Sequence, residues 1–571
     1  MESGGESSGP SRWGRVAREA LPLVVLLAVC VKSMSGEWRA RDLTCSDETM
    51  YLAFVLLMSD PNAAPVESNP LYVPLYVEWY RLLMQLPIAI QYMPFVSHGL
   101  LMAALAGLLY ALVRRLGTGR WVAVASSSLL ILNTQVAWVE PFPVHLATAL
   151  LALGVLVGTY RRSLLGACGP IGFGILAACY ARNEFGTLLL SFLPLYIACG
   201  VWTCVRATGR WREFLGWAVP LVAAVGACGC TLGLPLPNGP RALCAFQQHY
   251  ARNVVEARGG TSMEWDLNYL GIAQADFGEV KTFGEAVRAR PDVVAWHVGR
   301  NLNQLPTVVS EMCRPRLPLV PKFHTPGLLL VLAALAVGLV GVVRRVRAGG
   351  LSGPDGLPLR AVVLGAVCAC AVAGPSALLI YPRHHYLILP LFFALVLAVS
   401  GLPAPRWPTG WLGAPVGRRV WAAGLIAAAL LVAAAPNARN EWTPLRMLRT
   451  KWRYEPPEVC ESREVMALLH SLPKRPYTVV ADYGYFGTIR TLWMAQPVLA
   501  VPHFEKAEGF RAFVAKHQIG VVVLDSNLPS APQFGNDPEF MALWNGTDTG
   551  DFVVLTSPGG ARIAVRKDLL E

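Results

Sequence analysis

The chain has 571 residues, of which 54% are hydrophobic and only 15% charged, with a mean hydropathy of +0.43. A soluble globular chain carries about 25% charge, so these values exclude an ordinary water-soluble domain and point to lipid as the main solvent. The net charge of +12 is held in short arginine clusters between apolar blocks, the placement that membrane orientation requires, and no nucleic-acid partner is expected.

Residues 1–20 form an N-terminal tail with Arg12, Arg15 and Arg18 ahead of the apolar run Leu21 to Met34. No small-x-small cleavage motif follows the run, so it reads as a retained first span and not as a signal peptide. Further apolar blocks lie at 93–113, 121–139, 144–159, 164–181, 185–204, 215–235, 326–343, 360–381, 386–402 and 420–436. Each approaches the length a helix needs to cross roughly 30 Å of hydrocarbon, giving about eleven spans over residues 21–436. The short alternating segments of a β-barrel are not seen.

Alternate connections carry Arg114, Arg115 and Arg120; Arg161 and Arg162; Arg206, Arg210 and Arg212; Arg344, Arg345 and Arg347; and Arg406, Arg418 and Arg419. Arginine bias assigns these to the cytoplasm. The N-terminus is then cytoplasmic, loops 35–92 and 236–325 lie outside, and the C-terminus is extracytoplasmic. A multi-pass protein of the cell (inner) membrane is expected.

From about residue 437 the texture changes. Segments 477–482, 520–525, 552–555 and 563–565 read as strands, and Phe504 to His517 reads as an amphipathic helix. The expected fold is an α-helical polytopic membrane protein with about eleven transmembrane helices and a small C-terminal α/β extracytoplasmic domain, residues 437–571. The sequon Asn545-Gly546-Thr547 is a frequent chance match. Of 13 cysteines, those in apolar runs read as small buried hydrophobes. Cys45, Cys244, Cys313 and Cys460 fall in outer segments and are compatible with one or two disulfides.

Four outer segments carry polar residues of chemical interest. The first loop begins Ser46-Asp47-Glu48-Thr49-Met50-Tyr51 and runs on through Ser68-Asn69-Pro70-Leu71-Tyr72. Paired carboxylates beside lipid are costly and invite a functional reading; Ser46, Asp47 and Glu48 equally suit the first turn of an interfacial helix. The second turn holds Glu140 and His145 around Pro141 and Pro143, prolines that by themselves end one helix and begin the next. Arg182 and Arg383 occupy tight turns on the face that otherwise avoids arginine. Guanidinium forks suit phosphate oxygens. The alternatives are local pairing of Arg182 with Glu184 and anchoring of Arg383 to headgroups.

In their order and shared side, these segments resemble the GT-C superfamily of integral membrane glycosyltransferases, in particular its protein-mannosyltransferase and aminoarabinose-transferase-like branch. The resemblance lies in Asp47-Glu48 followed by aromatics, in Pro70-Leu71-Tyr72, in a basic residue at both later turns, and in Arg383 to Pro390, which is similar to an Arg-Tyr-Leu-x-x-Pro segment. Ser68-Asn69 departs from the usual His-Pro, and His384-His385 is an insertion. A short α/β lobe also ends several bacterial members; here it holds no Gly-rich nucleotide loop, so acceptor access is its expected role.

The resemblance implies transfer of a sugar from a polyprenyl-phosphate carrier to a lipid, glycan or protein acceptor on the outer face. Asp47 is the implied base, with Glu48 beside it, Asp42 as a competing candidate and Glu140 as a second catalytic carboxylate. Arg182, Arg383 and His384 would hold the phosphate, with His145 and Tyr72 also contacting substrate. No cofactor is implied, although Asp47 and Glu140 leave room for a divalent ion such as Mg or Mn. A transporter or flippase of lipid-linked sugars would favour midplane charge and inverted repeats, whereas nearly all charge here lies at the outer rim. A non-catalytic envelope-assembly protein would not need both arginines.

Overall fold

The computed structural model describes residues 12–34, 51–52, 54–55, 73–88, 93–132, 143–206, 208–234, 239–260, 262–313, 336–347, 356–402, 461–473, 477–481, 498–500, 509–524, 528–530, 534, 537–547 and 549–571. Most of them are helical. In hydrocarbon the backbone must satisfy its own polar groups, and a helix does so within one segment.

The helical region comprises α1 (Arg12–Met34), α2 (Pro74–Leu83), α3 (Met93–Arg115), α4 (Arg120–Leu132), α5 (Pro143–Gly158), α6 (Leu164–Ala181), α7 (Phe185–Arg206) and α8 (Trp211–Leu232). Four helices, α9 (Gly239–Ala257), α10 (Ser262–Phe277), α11 (Phe283–Ala289) and α12 (Pro291–Cys313), follow in the expected outer loop. Then come α13 (336–347), α14 (Leu357–Pro375), a π-helical turn Ser376–Ile380, and α15 (His384–Gly401). Six helices among the described residues are long and apolar enough to cross a membrane: α3, α6, α7, α8, α14 with its π turn, and α15. Shorter apolar helices fall on three more expected spans, at Ala20–Val31, Arg120–Ile131 and Pro143–Gly158. The span expected at 420–436 lies outside the described residues.

The two ends of the bundle are built from different side chains. At one end Arg115 donates to the Thr159 carbonyl at 3.0 Å and lies 4.5 Å over the Tyr160 ring, while Arg161 lies 4.4 Å over Trp217. At the other, the rings of His98 and His145 meet at 6.1 Å, and the Tyr180 hydroxyl donates to the Gly233 carbonyl at 2.9 Å.

Helices α5 and α6 meet along glycines. A Cβ on Gly154 would lie 2.6 Å from the Pro170 carbonyl oxygen and 3.2 Å from the Gly174 Cα, and one on Gly174 would lie 2.9 Å from the Leu150 carbonyl oxygen. Without a hydrophobic force between helices in lipid, such close backbone approach supplies the packing contacts. The seam ties His145, at the start of α5, to the turn that follows α6. Helix α8 is peripheral: Phe214, Ala218 and Leu221 form its buried stripe, whereas Leu215, Val219 and Val222 are exposed.

Helices α9 to α12 share a separate core of Leu243, Phe246, Tyr250, Ala273, Phe277, Ala286 and Val294. Cys244, a disulfide candidate by position, is instead a free thiol 3.5 Å from the Tyr269 hydroxyl. The side chains of the other three candidates, Cys45, Cys313 and Cys460, lie outside what the structure describes.

Toward the C-terminus, α16 (Glu461–Ser471) precedes β1 (Thr478–Ala481), β2 (Val498–Ala500), α17 (Phe510–Lys516), β3 (Ile519–Val523), α18 (Pro538–Asn545), β4 (Phe552–Thr556) and β5 (Arg562–Arg566). The strands form one sheet in the order β2-β1-β3-β5-β4, with β1 parallel to β2 and β3, and β5 antiparallel to β3 and β4. Alternation sends Val479, Val521 and Val565 to the face covered by Val465 and Leu469, and Val480, Val522 and Ala564 to the face covered by Phe510, Phe534 and Phe540. Four strands stand where alternation and apolarity place them. Strand β2 was not foreseen, and the expected helix from Phe504 is described from Phe510.

Candidate functional site

Helix α6 stops at Arg182, whose backbone is extended (φ −157°, ψ 115°) while its N–H still bonds the Ala178 carbonyl at 2.7 Å. The turn closes through the Phe185 N–H to the Arg182 carbonyl at 3.1 Å. The Arg182 side chain is therefore aimed back across the end of the bundle, and the residue is only 8% exposed. Its guanidinium forks onto Glu184, with Nε–Oε2 3.1 Å and Nη2–Oε1 3.2 Å, and lies 4.8 Å over the Tyr386 ring. The local pair with Glu184 is thus present, and a stacking partner from a segment some two hundred residues away adds to it.

The second arginine arises from an equally sharp break. The π-helical turn ends α14, Tyr381 is extended, and Pro382 cannot continue a helix because it offers no N–H. Arg383 follows as the residue before α15, with φ −79° and ψ 148°. It is half-buried and has no ion-pair partner among the described residues. His384 and His385 enter the first turn of α15 without a bulge. Helical spacing sends the three side chains different ways. The His384 Nε2 lies 2.9 Å from Glu311 Oε2 on α12; Tyr386 lies under Arg182; and His385 sits within electrostatic reach of Arg182, Arg383, His249 and His145.

The helices outside the bundle complete this end. His249 of α9 is buried, its ring 5.5 Å from that of Tyr381, and neither ring nitrogen has a hydrogen-bond partner among the described residues. Burial, with Arg383, Arg252 and His297 nearby, pushes its pKa well below the usual imidazole value, so it is neutral at pH 7. Arg252, one turn along α9, lies 4.4 Å over the Tyr381 ring and pairs with Glu256 at 2.6 Å. His145 is fully buried beside His98.

Around His385 the structure gathers three of the residues singled out from the sequence, His145, Arg182 and Arg383, while His384, its neighbour in the chain, turns to Glu311. Asp47, Glu48, Glu140 and Tyr72, with the competing Asp42, lie outside the described residues. The first described residues after Asp47-Glu48 pack inward: Tyr51 meets Tyr76 edge to face at 5.0 Å, and Trp79 on α2 donates to the Ser97 hydroxyl at 2.9 Å. Sequence reasoning missed His249, Arg252, Glu311 and Tyr381 as members of the site. A signal existed for two of them, since His249 and Arg252 are spaced i, i+3 on an amphipathic helix and so share a face.

This end of the bundle is suited to holding an anion. It is rich in arginine and walled by aromatics, and guanidinium groups buried there act in a lower effective dielectric than in water. Glu184, Glu256 and Glu311 are each engaged by a basic side chain. Among the described residues no group of three His, Cys, Asp or Glu side chains is arranged to hold a metal ion.

No protein-family model matches the sequence, and no curated protein matches it. Among solved structures, the chain is similar to the archaeal oligosaccharyltransferase AglB from Archaeoglobus fulgidus in complex with an inhibitory peptide and a dolichol-phosphate, with 12% identity over 98% of this chain and 75% of that chain and a TM-score of 0.43. Two further structures of the Archaeoglobus fulgidus oligosaccharyltransferase are similar. One is in the apo form, with 12% identity, coverage of 98% and 75%, and a TM-score of 0.42. The other is a complex with Zn and sulfate, with 13% identity, coverage of 95% and 73%, and a TM-score of 0.39. Likeness at this level assigns neither activity nor ligand to the chain.

Proposed function

We propose that the chain is a GT-C-type membrane glycosyltransferase that moves a sugar from a polyprenyl-phosphate carrier to a lipid, glycan or protein acceptor at the outer face of the cell membrane. One observation carries the reading. Arg182 and Arg383 sit against the grain of the arginine distribution and far apart in the chain, and support for a shared role comes from Arg182 lying over Tyr386, three residues beyond Arg383, with both arginines in electrostatic reach of His385. Of the two, Arg383 has no carboxylate partner among the described residues, as an arginine reserved for a ligand anion should.

In this reading the acceptor hydroxyl attacks the anomeric carbon while the bond from that carbon to the carrier phosphate breaks, with inversion. Asp47 takes or orients the hydroxyl proton, with Glu48 and Glu140 in support. Charge develops on the leaving phosphate, and Arg383, Arg182 and His384 stabilise it there. Tyr72 and His145 contact the substrate. The N-terminus is cytoplasmic, and residues 437–571 form an extracytoplasmic domain that shapes acceptor access.

The test is mass analysis of lipid-linked sugars and envelope glycans in a deletion strain, complemented by wild type or by Arg383→Ala. An undecorated acceptor together with accumulated carrier-linked sugar is expected in the deletion strain and in the Arg383→Ala complement. Unchanged glycans in the deletion strain would refute the assignment.

A further inference from the structure

Three carbonyl oxygens in the π-helical turn that follows α14, those of Leu378, Leu379 and Ile380, belong to the last turn before the break at Tyr381. A helix end leaves such carbonyls without intrahelical donors, and a buried carbonyl must find another partner. Here the partners are side chains of a different helix. Asn301 Nδ2 donates to the Leu378 and Ile380 carbonyls at 2.8 and 3.2 Å, and His297 Nε2 lies 3.0 and 3.2 Å from the Ile380 and Leu379 carbonyls. His297 and Asn301 are four residues apart on α12 and so present one face.

A third residue sets their orientation. Asn253 on α9 places its Nδ2 2.8 Å from Asn301 Oδ1 and 2.9 Å from His297 Nδ1, while its Oδ1 accepts from Gln304 Nε2 at 3.2 Å. Asn253, His297 and Asn301 are all fully buried. His297 Nδ1 faces the Asn253 amide donor, so the proton is assigned to Nε2, which faces the two carbonyls; the Asn301 amide nitrogen lies 3.1 Å from that Nε2, with its own N–H groups turned to the Leu378 and Ile380 carbonyls. Burial keeps the ring neutral, with a pKa lowered to about 4.

We infer that Asn253, His297 and Asn301 are positioning residues that cap the end of α14 from outside the bundle and thereby fix the direction in which Tyr381-Pro382-Arg383 leaves it. Arg383 stands three residues beyond the last capped carbonyl. The direction of its side chain depends on where that turn is held, and small displacements of a positioned group are costly in rate. The catalytic consequence rests on the phosphate reading of Arg383; the structural one does not.

The experiment uses the full chain reconstituted in lipid nanodiscs, with two readouts. Hydrogen exchange by mass spectrometry follows the peptide spanning 376–386, and sugar transfer is followed by envelope-glycan analysis in the complemented deletion strain. His297→Gln carries an amide N–H to the place of Nε2, whereas His297→Asn reaches only the place of Nδ1. His297→Phe keeps the edge-to-face contact with Phe246, 5.3 Å away, but has no donor. Asn301→Asp turns both donors into acceptors facing carbonyls.

His297→Gln should keep the protection of residues 381–386 and most of the transfer. His297→Asn, His297→Phe and Asn301→Asp should each speed exchange in that peptide by roughly tenfold or more and lower transfer by roughly 100-fold. Wild-type behaviour of His297→Phe would show that the ring only packs, and would overturn the inference. So would normal exchange in Asn301→Asp, even with transfer lost. Faster exchange in His297→Asn and His297→Phe, in a protein that transfers no sugar, would uphold the positioning role while removing the proposed reaction.

Discussion

Replacing Gly154 with alanine measures how much the α5–α6 seam contributes to holding the two halves of the site together. The new Cβ would stand 2.6 Å from the Pro170 carbonyl oxygen, where ordinary contact begins at 3.4 Å. The obstacle is backbone, so the helices themselves must part by about 0.8 Å, a strain of the kind that costs about 1–3 kcal/mol. Against this, alanine is favoured over glycine in a helix by about 0.5–1 kcal/mol. A net loss of up to about 2.5 kcal/mol follows. Gly107 on α3 is the control, since a Cβ there meets nothing within 4 Å and Gly107→Ala should gain up to about 1 kcal/mol. Unfolding of the detergent-solubilised protein by SDS titration, followed by circular dichroism, reads the difference. Gly174→Ala should behave like Gly154→Ala. Because α5 begins near His145 and α6 ends at Arg182, a parted seam should also weaken carrier-phosphate binding. If Gly154→Ala proves as stable as Gly107→Ala, the helices do not touch as described and the argument fails.

Arg182→Ala should cost about 1–3 kcal/mol, because it removes a buried guanidinium from the partly buried Glu184 carboxylate; Glu184→Gln in the same chain should recover part of that in SDS titration. Arg383→Ala should weaken donor binding without a comparable stability loss, and Arg383→Lys should restore it only partly, because lysine lacks the planar fork. Asp47→Asn should leave a folded, donor-binding protein whose transfer rate is lower by about 10²- to 10⁴-fold; near-normal turnover there, with loss in Asp42→Asn or Glu140→Gln, would move the base to another carboxylate. For pH, His297 has a folded pKa of about 4 against an ordinary 6.5, so between these values the unfolded chain binds a proton that the folded protein refuses. Its contribution is complete above pH 6.5 and falls as pH drops toward 4, by about 3 kcal/mol in all; the slope should flatten in His297→Gln.

The long apolar helices and the arginine alternation were legible because both depend on composition over whole segments. The Arg383 turn was legible for the opposite reason, as a local exception to that alternation. The helices from Gly239 to Cys313 were hidden inside what reads as a loop: Leu243, Phe246 and Tyr250 recur at helical spacing, but the polar residues between them lower any average of hydropathy. Asn253, His297 and Asn301 left no trace at all. They are neutral, far apart in sequence and ordinary in type, and only the fold shows that they converge on carbonyls freed by a helix end. Arg182 shows the limit of reading pairs: Glu184 was visible as a neighbour, whereas Tyr386 was not, since its meeting with Arg182 depends on the histidines occupying the first turn of α15.

The thin buried stripe of α8 sets a different rule for that helix than for α6. At Gly154 or Gly174 a single methyl group is too many, so shape decides which residues are admitted. Along α8, away from Phe214, Ala218 and Leu221, the neighbours of Leu215, Val219 and Val222 are open surface, which the surrounding lipid would cover. Lipid tails accommodate leucine, isoleucine, valine or phenylalanine without preference for form. A saturation library should therefore be nearly silent at those positions as long as apolarity is kept, and sharply selective one or two residues away on the same helix.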